Sequence, residues 1–260
     1  IAGILSSILF GVLGSVVTVK RIAGLAGAIS HAVLGGIGLA LYLSAKKIVP
    51  GLPPIVGALV FALISAALIG LVSLKAKQRE DTVINALWAI GMSLGIVFIA
   101  KTPGYADPMS YLFGNILLVS TRDLVMLAVL DIAVIFLAWR YYPQIEASAF
   151  DEEFARTRGV STDAVFLVIL GVTAIAVVLL QTYVGIVMVI AMLTLPAGTS
   201  GYFARNLAGM MAIGTLFSVA FSVAGLAISW GLDLPSGAIV VLVAGATFLA
   251  VSALRAGRKA

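Results

Sequence analysis

The sequence predicts an all-α protein, a polytopic bundle of transmembrane helices. Of its 260 residues, 62% are hydrophobic and only 10% are charged, whereas a soluble domain averages about one quarter charged residues. Charge-free apolar runs of about 20 residues recur along the whole chain, and that length crosses about 30 Å of hydrocarbon. The runs are continuous, unlike the alternating segments of about ten residues in an outer-membrane β-barrel. This composition excludes a water-soluble globule, a disordered chain and a collagen-like fibre.

Nine candidate spans follow one another along the chain. They lie near residues 2–19, 22–45, 55–74, 82–100, 123–139, 163–183, 184–202, 210–230 and 237–253. The sixth and seventh abut at Gln181-Thr182-Tyr183 with almost no loop, so they could instead form a re-entrant pair, which would leave eight spans. No low-complexity tract or interdomain linker interrupts the sequence. We therefore expect residues 1–260 to form a single transmembrane domain.

The basic residues predict the orientation of this bundle. Nine alternating spans place twelve of the sixteen Lys and Arg residues on one side of the membrane. Only Lys46, Lys47, Lys101 and Arg122 lie on the other side. Since cytoplasmic loops carry the excess of positive charge, we expect the C-terminus and the long polar stretch 140–162 to be cytoplasmic.

The only histidine, His31, lies near the middle of the second span. Gly27, His31 and Gly35 are spaced four apart and share one helix face. Small residues at that spacing let another helix approach closely, and the facing helix could be the same helix of a second copy in a twofold dimer. His31 is therefore either a functional group at a contact between helices or a histidine that bonds a neighbouring carbonyl and fixes packing.

Three further side chains could bind a cation inside the membrane. Asp131 is the one carboxylate well inside a predicted span, and polar groups at that depth often mark function. It could bind a cation, carry a proton or, as we favour, stabilise the bundle as a buried partner of another polar group. Met188 and Met192 lie four apart and could offer thioethers to a metal, although methionine more often fills apolar gaps. Cysteine is absent, so thiolate zinc sites and iron–sulfur clusters are excluded.

The seventh span ends in Leu193-Thr194-Leu195-Pro196-Ala197-Gly198-Thr199-Ser200-Gly201. Proline interrupts the helical hydrogen-bond ladder, and a following cluster of glycine and hydroxyl groups can satisfy the freed backbone groups beside an aqueous path. Two interpretations are equally supported here: a broken helix on the path at Thr194 and Pro196, and a simple helix end.

The polar stretch contains a predicted surface helix over residues 150–159. Its first residues are acidic, its last are basic and a glycine follows, which are start and stop signals of a helix. It could dock on a cytoplasmic partner or only connect two spans. The residues of this segment are Asp151, Glu152, Glu153, Phe154, Ala155, Arg156, Arg158 and Gly159.

Signals of enzymatic chemistry are missing from the sequence. It has no Walker loop, no Gly-x-Ser-x-Gly and no His-Glu-x-x-His, the patterns of phosphate cradles, serine hydrolases and metalloproteases. The sequence therefore shows no sign of an enzyme, and we expect that this chain does not bind ATP.

Several motifs in one order resemble the permease of zinc and manganese ATP-binding-cassette (ABC) importers, over nearly the whole chain. The motifs are Ser30-His31-Ala32-Val33-Leu34-Gly35-Gly36, Glu80-Asp81-Thr82, Tyr111-Leu112-Phe113-Gly114-Asn115-Ile116-Leu117, residues 150–159, Leu193-Thr194-Leu195-Pro196-Ala197 and Asp233-Leu234-Pro235-Ser236-Gly237. The resemblance implies a type II importer-like homodimer in a prokaryotic cytoplasmic (inner) membrane. It also implies two cytoplasmic ATP-binding subunits, an extracytoplasmic metal-binding protein, and a coupling helix at residues 151–158 that transmits ATP hydrolysis to alternating access.

One position departs from the family pattern. Family members commonly carry Asp four residues before the histidine, so that two copies offer two oxygens and two nitrogens, but this chain has Gly27. The resemblance then implies a weaker site completed by water, Ser30 or carbonyls, or a metal chelate as cargo. No tightly bound cofactor is expected, and the transported ion is zinc or manganese, with zinc slightly favoured because imidazole suits it. A stand-alone cation channel or proton-coupled carrier using His31 and Asp131 is the alternative.

Overall fold

Every regular element described by the computed structural model is a helix. The structure describes residues 1–75, 80–103, 112–114 and 119–256. Most of the motif at residues 111–117 and the side chains of Glu80 and Asp81 lie outside the described residues. Within the described ranges there is no strand, so the all-α prediction is confirmed.

Eleven helices occur in the described part of the chain. They are α1 (Ala2–Val19), α2 (Ala23–Ala45), α3 (Pro54–Lys75), α4 (Glu80–Lys101), α5 (Thr121–Arg140), α6 (Tyr142–Phe150), α7 (Glu152–Thr157), α8 (Thr162–Val184), α9 (Ile186–Ser200), α10 (Leu207–Leu232) and α11 (Ser236–Ala256).

Seven of these helices are long and apolar enough to cross a membrane, and the count rises to eight if α5 and α6 form one span bent by 71°. All nine predicted spans coincide with helices. The predicted span at 184–202, however, is the 15-residue α9, which is about 22 Å long at 1.5 Å per residue. Because that length is less than the hydrocarbon thickness of about 30 Å, α9 does not qualify as a full span.

The helix break near α9 lies at Gly185 and not at Thr194 and Pro196, where the sequence allowed for one. Gly185 has φ +82 and ψ 159, a backbone conformation essentially restricted to glycine. The helix continues through Pro196 to Ser200, and the Thr194 hydroxyl donates back to the carbonyls of Ile190 at 3.1 Å and Ala191 at 3.2 Å. Pro196 lies inside this helix, where it removes one backbone hydrogen bond and crowds the carbonyl of Met192, but it does not end the helix.

The helices divide into two compact units. The first comprises Ile1–Ala23, Phe113–Thr162 and Tyr183–Ala260, and the second comprises Gly24–Leu112 and Asp163–Thr182. The first thus contains α1, α5 to α7 and α9 to α11, and the second contains α2, α3, α4 and most of α8. The single transmembrane domain remains a prediction.

Close helix packing through small residues builds the first unit. Gly11 of α1 lies directly against Thr215 of α10, and Gly14 lies against Leu193 of α9. Gly225 of α10 lies against Val240 of α11 in the same way. A side chain at any of these glycines would collide with a neighbouring backbone, so α1, α9, α10 and α11 approach more closely than larger residues would allow.

Candidate functional site

One face of α2 lies against α4 along most of the length of both helices. A Cβ atom added at Gly35 would lie 2.9 Å from the carbonyl oxygen of Gly91, and one added at Gly38 would lie 2.6 Å from that of Gly95. One turn further on, the rings of Tyr42 and Phe98 are 5.6 Å apart. Residue numbers rise together on the two helices, so α2 and α4 run parallel and their backbones touch through glycine.

A second face of α2 packs against α3. Gly36 lies directly against Gly57, and an added Cβ at Gly36 would lie 2.9 Å from the Cβ atom of Phe61. Helix α2 is therefore held between two neighbours of its own chain, and most of its residues are buried.

His31 lies on the α4-facing side of α2. Its imidazole stacks on the indole of Trp88, with ring centroids 4.4 Å apart and an angle of 15° between the ring planes. The residue is only 7% exposed, and its Nδ1 atom is buried without a hydrogen-bond partner among the described residues. His31 therefore faces a tryptophan of its own chain rather than lipid.

The two glycines predicted to flank His31 differ in their surroundings. Gly35 lies at the tight contact with Gly91, whereas a Cβ added at Gly27 would meet only the Cζ3 atom of Trp88, at 3.8 Å. An alanine would therefore fit at Gly27 in ordinary van der Waals contact, but at Gly35 it would push α4 away. The facing helix at both positions is α4.

Trp88 is the residue of this site that the sequence analysis did not identify. A usable signal was present, because Trp88, Gly91 and Gly95 are spaced three and four apart on α4, which places them on one helix face. That spacing matches the small-residue pattern of α2. The spacing on α4 therefore indicates the helix that packs against His31.

Asp131 is buried in the first unit. It shares the buried face of α5 with Leu127 and Val134, and α5 packs against α1. The residue is 3% exposed, and neither carboxyl oxygen has a hydrogen-bond partner among the described residues. A charged carboxylate in that setting costs far more free energy than a neutral or ion-paired one. Asp131 can therefore hold a proton or a cation, but the structure shows no protein partner for it.

Met188 and Met192 are one turn apart on α9 and both are buried. They belong to the first unit with Asp131, whereas His31 belongs to the second. Among the described residues, no group of three His, Asp or Glu side chains could hold a metal ion. The described part of one chain therefore does not supply a complete coordination shell.

The predicted surface helix at residues 150–159 is α7. Asp151 caps it, because its Oδ1 atom accepts a hydrogen bond from the backbone N–H of Phe154 at 2.9 Å. Gly159 follows the helix with φ +80, a conformation that suits glycine. Acidic Glu152 and Glu153 lie in the first turn and Arg156 in the last, as the helix dipole favours.

One side of α7 is open and the other is anchored. Phe150 is 66% exposed and Phe154 is 52% exposed, with the guanidinium of Arg158 5.2 Å from the centre of the Phe154 ring. Ala155 is fully buried. Exposed aromatic and arginine side chains are typical of protein interfaces, so α7 can present a docking surface.

Lys20, just beyond the end of α1, anchors the segment. Its ammonium lies 3.8 Å from a carboxylate oxygen of Glu152 and donates to the hydroxyl of Ser148 at 3.4 Å. Burial lowers the pKa of Lys20 below 10.5, and the Glu152 charge offsets part of that shift. The pair ties α7 to the end of a membrane helix.

Sequence analysis did not predict α6, which continues from α5 after a sharp bend. Proline stands at the start of this helix, where its missing N–H leaves no hydrogen bond unmade. The hydroxyl of Tyr142 donates to Glu146 at 2.7 Å and accepts from the N–H of Ala208 at 3.1 Å. These bonds fix the bend against the start of α10.

Comparisons with known proteins agree with this architecture. The model of the ABC 3 transport family matches residues 1–255. An uncharacterized membrane protein of Synechocystis, slr2045, is 38% identical over 256 residues, which cover 98% of this chain and 89% of the relative. The manganese transport system membrane protein MntC of Halalkalibacterium halodurans is 34% identical over 249 residues, covering 95% of this chain and 82% of that protein.

A solved structure has the same fold over nearly the whole chain. The structure of PsaBC from Streptococcus pneumoniae in complex with a Fab superposes with a TM-score of 0.83 at 28% identity, covering 96% of this chain and 88% of that one. The family match, the two relatives and this superposition confirm the resemblance on which the sequence motifs converged. The chain belongs to the ABC 3 transport family and is a membrane permease of that family.

Proposed function

We propose that this chain is the permease subunit of an ABC importer that carries a divalent metal ion, with manganese as the cargo and zinc as the second candidate. The observation that carries the proposal is the nearly full-length similarity to a relative named as a manganese transport protein, in a family whose model matches residues 1–255. The imidazole of His31 alone would favour zinc, but the named relative weighs more because the similarity spans the whole permease.

In this proposal two copies of the chain form the translocation path, and His31 contributes one nitrogen from each copy. His31 is the only histidine of the chain, so a second imidazole would come from a second copy. A shell with few protein ligands binds an ion weakly, which suits transient passage. Asp131, Met188 and Met192 are secondary candidates on the path, together with the α9 segment that contains Thr194 and Pro196.

We place the docking site for the ATP-binding subunits on α7. The exposed side chains of Phe150 at the end of α6, of Phe154 on α7 and of Arg158 just after α7 support this role. The tie from Glu152 to Lys20 supports it as well. ATP binding and hydrolysis on two cytoplasmic partner subunits would then rock a type II importer-like homodimer between outward-open and inward-open states. An extracytoplasmic metal-binding protein would deliver the ion.

The topology that accompanies this proposal has α9 as a ninth, short or re-entrant segment. The C-terminus and α7 then lie on the cytoplasmic side of a prokaryotic inner membrane. The excess of basic residues on that side supports the orientation.

The test is manganese uptake into proteoliposomes that contain the chain with its ATPase and binding protein. We expect that uptake requires ATP and is lost in Phe154→Ala. Trp230→Phe is the control, because this side chain of α10 is 84% exposed and its substitution should leave uptake unchanged. Uptake that proceeds without the ATPase and is unaffected by Phe154→Ala would identify a stand-alone channel or carrier and reject the proposal.

A metal chelate is the second candidate cargo, and Gly27 is the observation that favours it. A carboxylate is missing at this position and the described residues form no three-ligand group, so the bare ion meets few charged oxygens. Uptake of manganese complexed with an organic chelator, but not of the free ion, would select this alternative.

A further inference from the structure

The His31 ring lacks the usual means of orientation. A histidine that binds a metal through one nitrogen almost always donates its other N–H to a carboxylate, carbonyl or water, which fixes the ring plane and raises its basicity. Here Nδ1 is buried without a partner among the described residues. Among the described residues, the contact that can hold the imidazole plane is a ring contact.

Trp88 makes that contact. Its indole lies nearly parallel to the imidazole, at a centroid distance of 4.4 Å and an angle of 15°. This arrangement is a close stack, and aromatic pairs contribute beyond the area that they bury. The stack restricts rotation of the imidazole out of its plane without giving Nδ1 an acceptor.

The position of Trp88 is set by backbone contacts. Gly91, one turn after Trp88, lies directly against Ala32, which follows His31 in the chain. Gly95 lies 2.7 Å from the backbone of Leu34, measured from an added Cβ. These contacts fix the distance between the two helix backbones that carry the rings.

We propose that Trp88 is the positioning residue of His31: it holds the imidazole plane, while the burial of Nδ1 leaves Nε2 as the nitrogen offered to a divalent cation. This inference rests on the proposed function, because it assigns the cation to the same site. Stacking fixes the orientation of the ring without a hydrogen bond that would strengthen it as a ligand. A ligand that is not strengthened in this way releases an ion more readily.

The first test uses Trp88 as its own reporter. The chain has three tryptophans, so Trp139→Phe combined with Trp230→Phe leaves Trp88 as the one tryptophan of the permease, and its emission is the part of the signal that a further Trp88→Phe removes. With the permease–ATPase complex in nanodiscs and MnCl₂ as the probe, the paramagnetic ion bound to His31 should quench Trp88 emission saturably. The quench should be lost when His31→Ala is added, and quenching that is unchanged in that variant would overturn the proposal.

The second test separates positioning from general packing. Trp88→Leu should raise the KM for manganese uptake by about 2- to 10-fold, the size of a lost aromatic stack, with a smaller effect on kcat. Trp88→Phe keeps a ring and should restore most of the affinity, and Trp230→Leu is the control. An unchanged KM in Trp88→Leu would reject the role of Trp88.

The two tests also separate this inference from the proposed function. A permease that transports no manganese but shows His31-dependent quenching would reject the function and retain the positioning role. Transport with normal ATP dependence but no quenching of Trp88 would retain the proposed function and reject the positioning role. If Trp88→Leu does not elute as a folded complex in size-exclusion chromatography, the Trp88→Phe kinetics and the quenching decide the question.

Discussion

The contact between α2 and α4 predicts a specific effect of the substitution Gly38→Ala. The new Cβ would lie 2.6 Å from the carbonyl oxygen of Gly95 and 3.0 Å from its Cα atom, whereas ordinary contact begins at 3.4 Å. Relief requires the two backbones to move apart by about 0.8 Å, the difference between 3.4 and 2.6 Å. The colliding atom belongs to the backbone, so no side-chain rotation can absorb the collision.

The magnitude follows from two opposing contributions. Overpacking of a tight contact costs about 1–3 kcal/mol, while replacement of a helical glycine by alanine gains about 1 kcal/mol in helix propensity. Gly171→Ala in α8, a helix of the same unit, is the matched control because nothing lies within 4 Å of its added Cβ. We therefore expect Gly38→Ala to be less stable than Gly171→Ala by about 1–3 kcal/mol.

Thermal unfolding in detergent, followed by loss of the monodisperse size-exclusion peak, measures this difference. A gap of 2 kcal/mol corresponds to roughly 4–8 °C in Tm for a chain of this size. The same substitution should weaken His31-dependent quenching of Trp88, because α4 carries the indole. Equal Tm values for the two variants would refute the close backbone contact, and with it the argument that glycine fixes the position of Trp88.

Three further predictions concern the ends of the helices. Gly185→Ala should lower the Tm of the permease, because alanine at a φ of +82 costs about 1–3 kcal/mol; an unchanged Tm would contradict the break assigned there. Asp151→Ala should weaken binding of the ATPase subunit in a pull-down titration through loss of the α7 cap, worth about 1 kcal/mol, while Asp151→Asn, which can still accept from Phe154, should not; equal affinities would count against the cap. The folded chain binds fewer protons at Lys20 than the unfolded chain does, because burial lowers its pKa, so stability should rise with pH as the solution passes through that lowered pKa toward 10.5. Lys20→Met should remove this rise in a pH series of unfolding midpoints, and an identical slope in both proteins would oppose it.

Much of the fold could be predicted because membrane burial imposes a simple rule on each segment. A helix is the only open-chain element that satisfies its own backbone in lipid, so continuous apolar runs such as 55–74 already fix where a helix lies. A helix that packs against other helices can be shorter than the membrane is thick, and its sequence is equally apolar. The sequence therefore predicts a full span at 184–202, where the structure has the 15-residue α9. Its boundary depends on the φ of Gly185, which composition does not reveal.

The site was harder to predict because it depends on which helices meet. His31 and its glycines could be identified from spacing alone, but the same spacing fits a second copy or a neighbouring helix equally well. The contacts of Gly91 and Gly95 with α2 show that α4 of the same chain packs on this face. Spacing along one helix does not reveal such a tertiary contact. Likewise, Pro196 indicates a possible break because an interior proline removes a hydrogen bond and clashes with the preceding turn, yet α9 continues past it.

The central claim is that an ion crosses the membrane through this permease by way of His31, driven by ATP. The most direct measurement is the initial rate of ATP-dependent manganese uptake in proteoliposomes with wild-type and His31→Ala permease, both assembled with the same ATPase and binding protein. The initial rate of uptake should be lower by about 10-fold or more in His31→Ala, while binding of the ATPase is retained. Equal rates in the two proteins would contradict it.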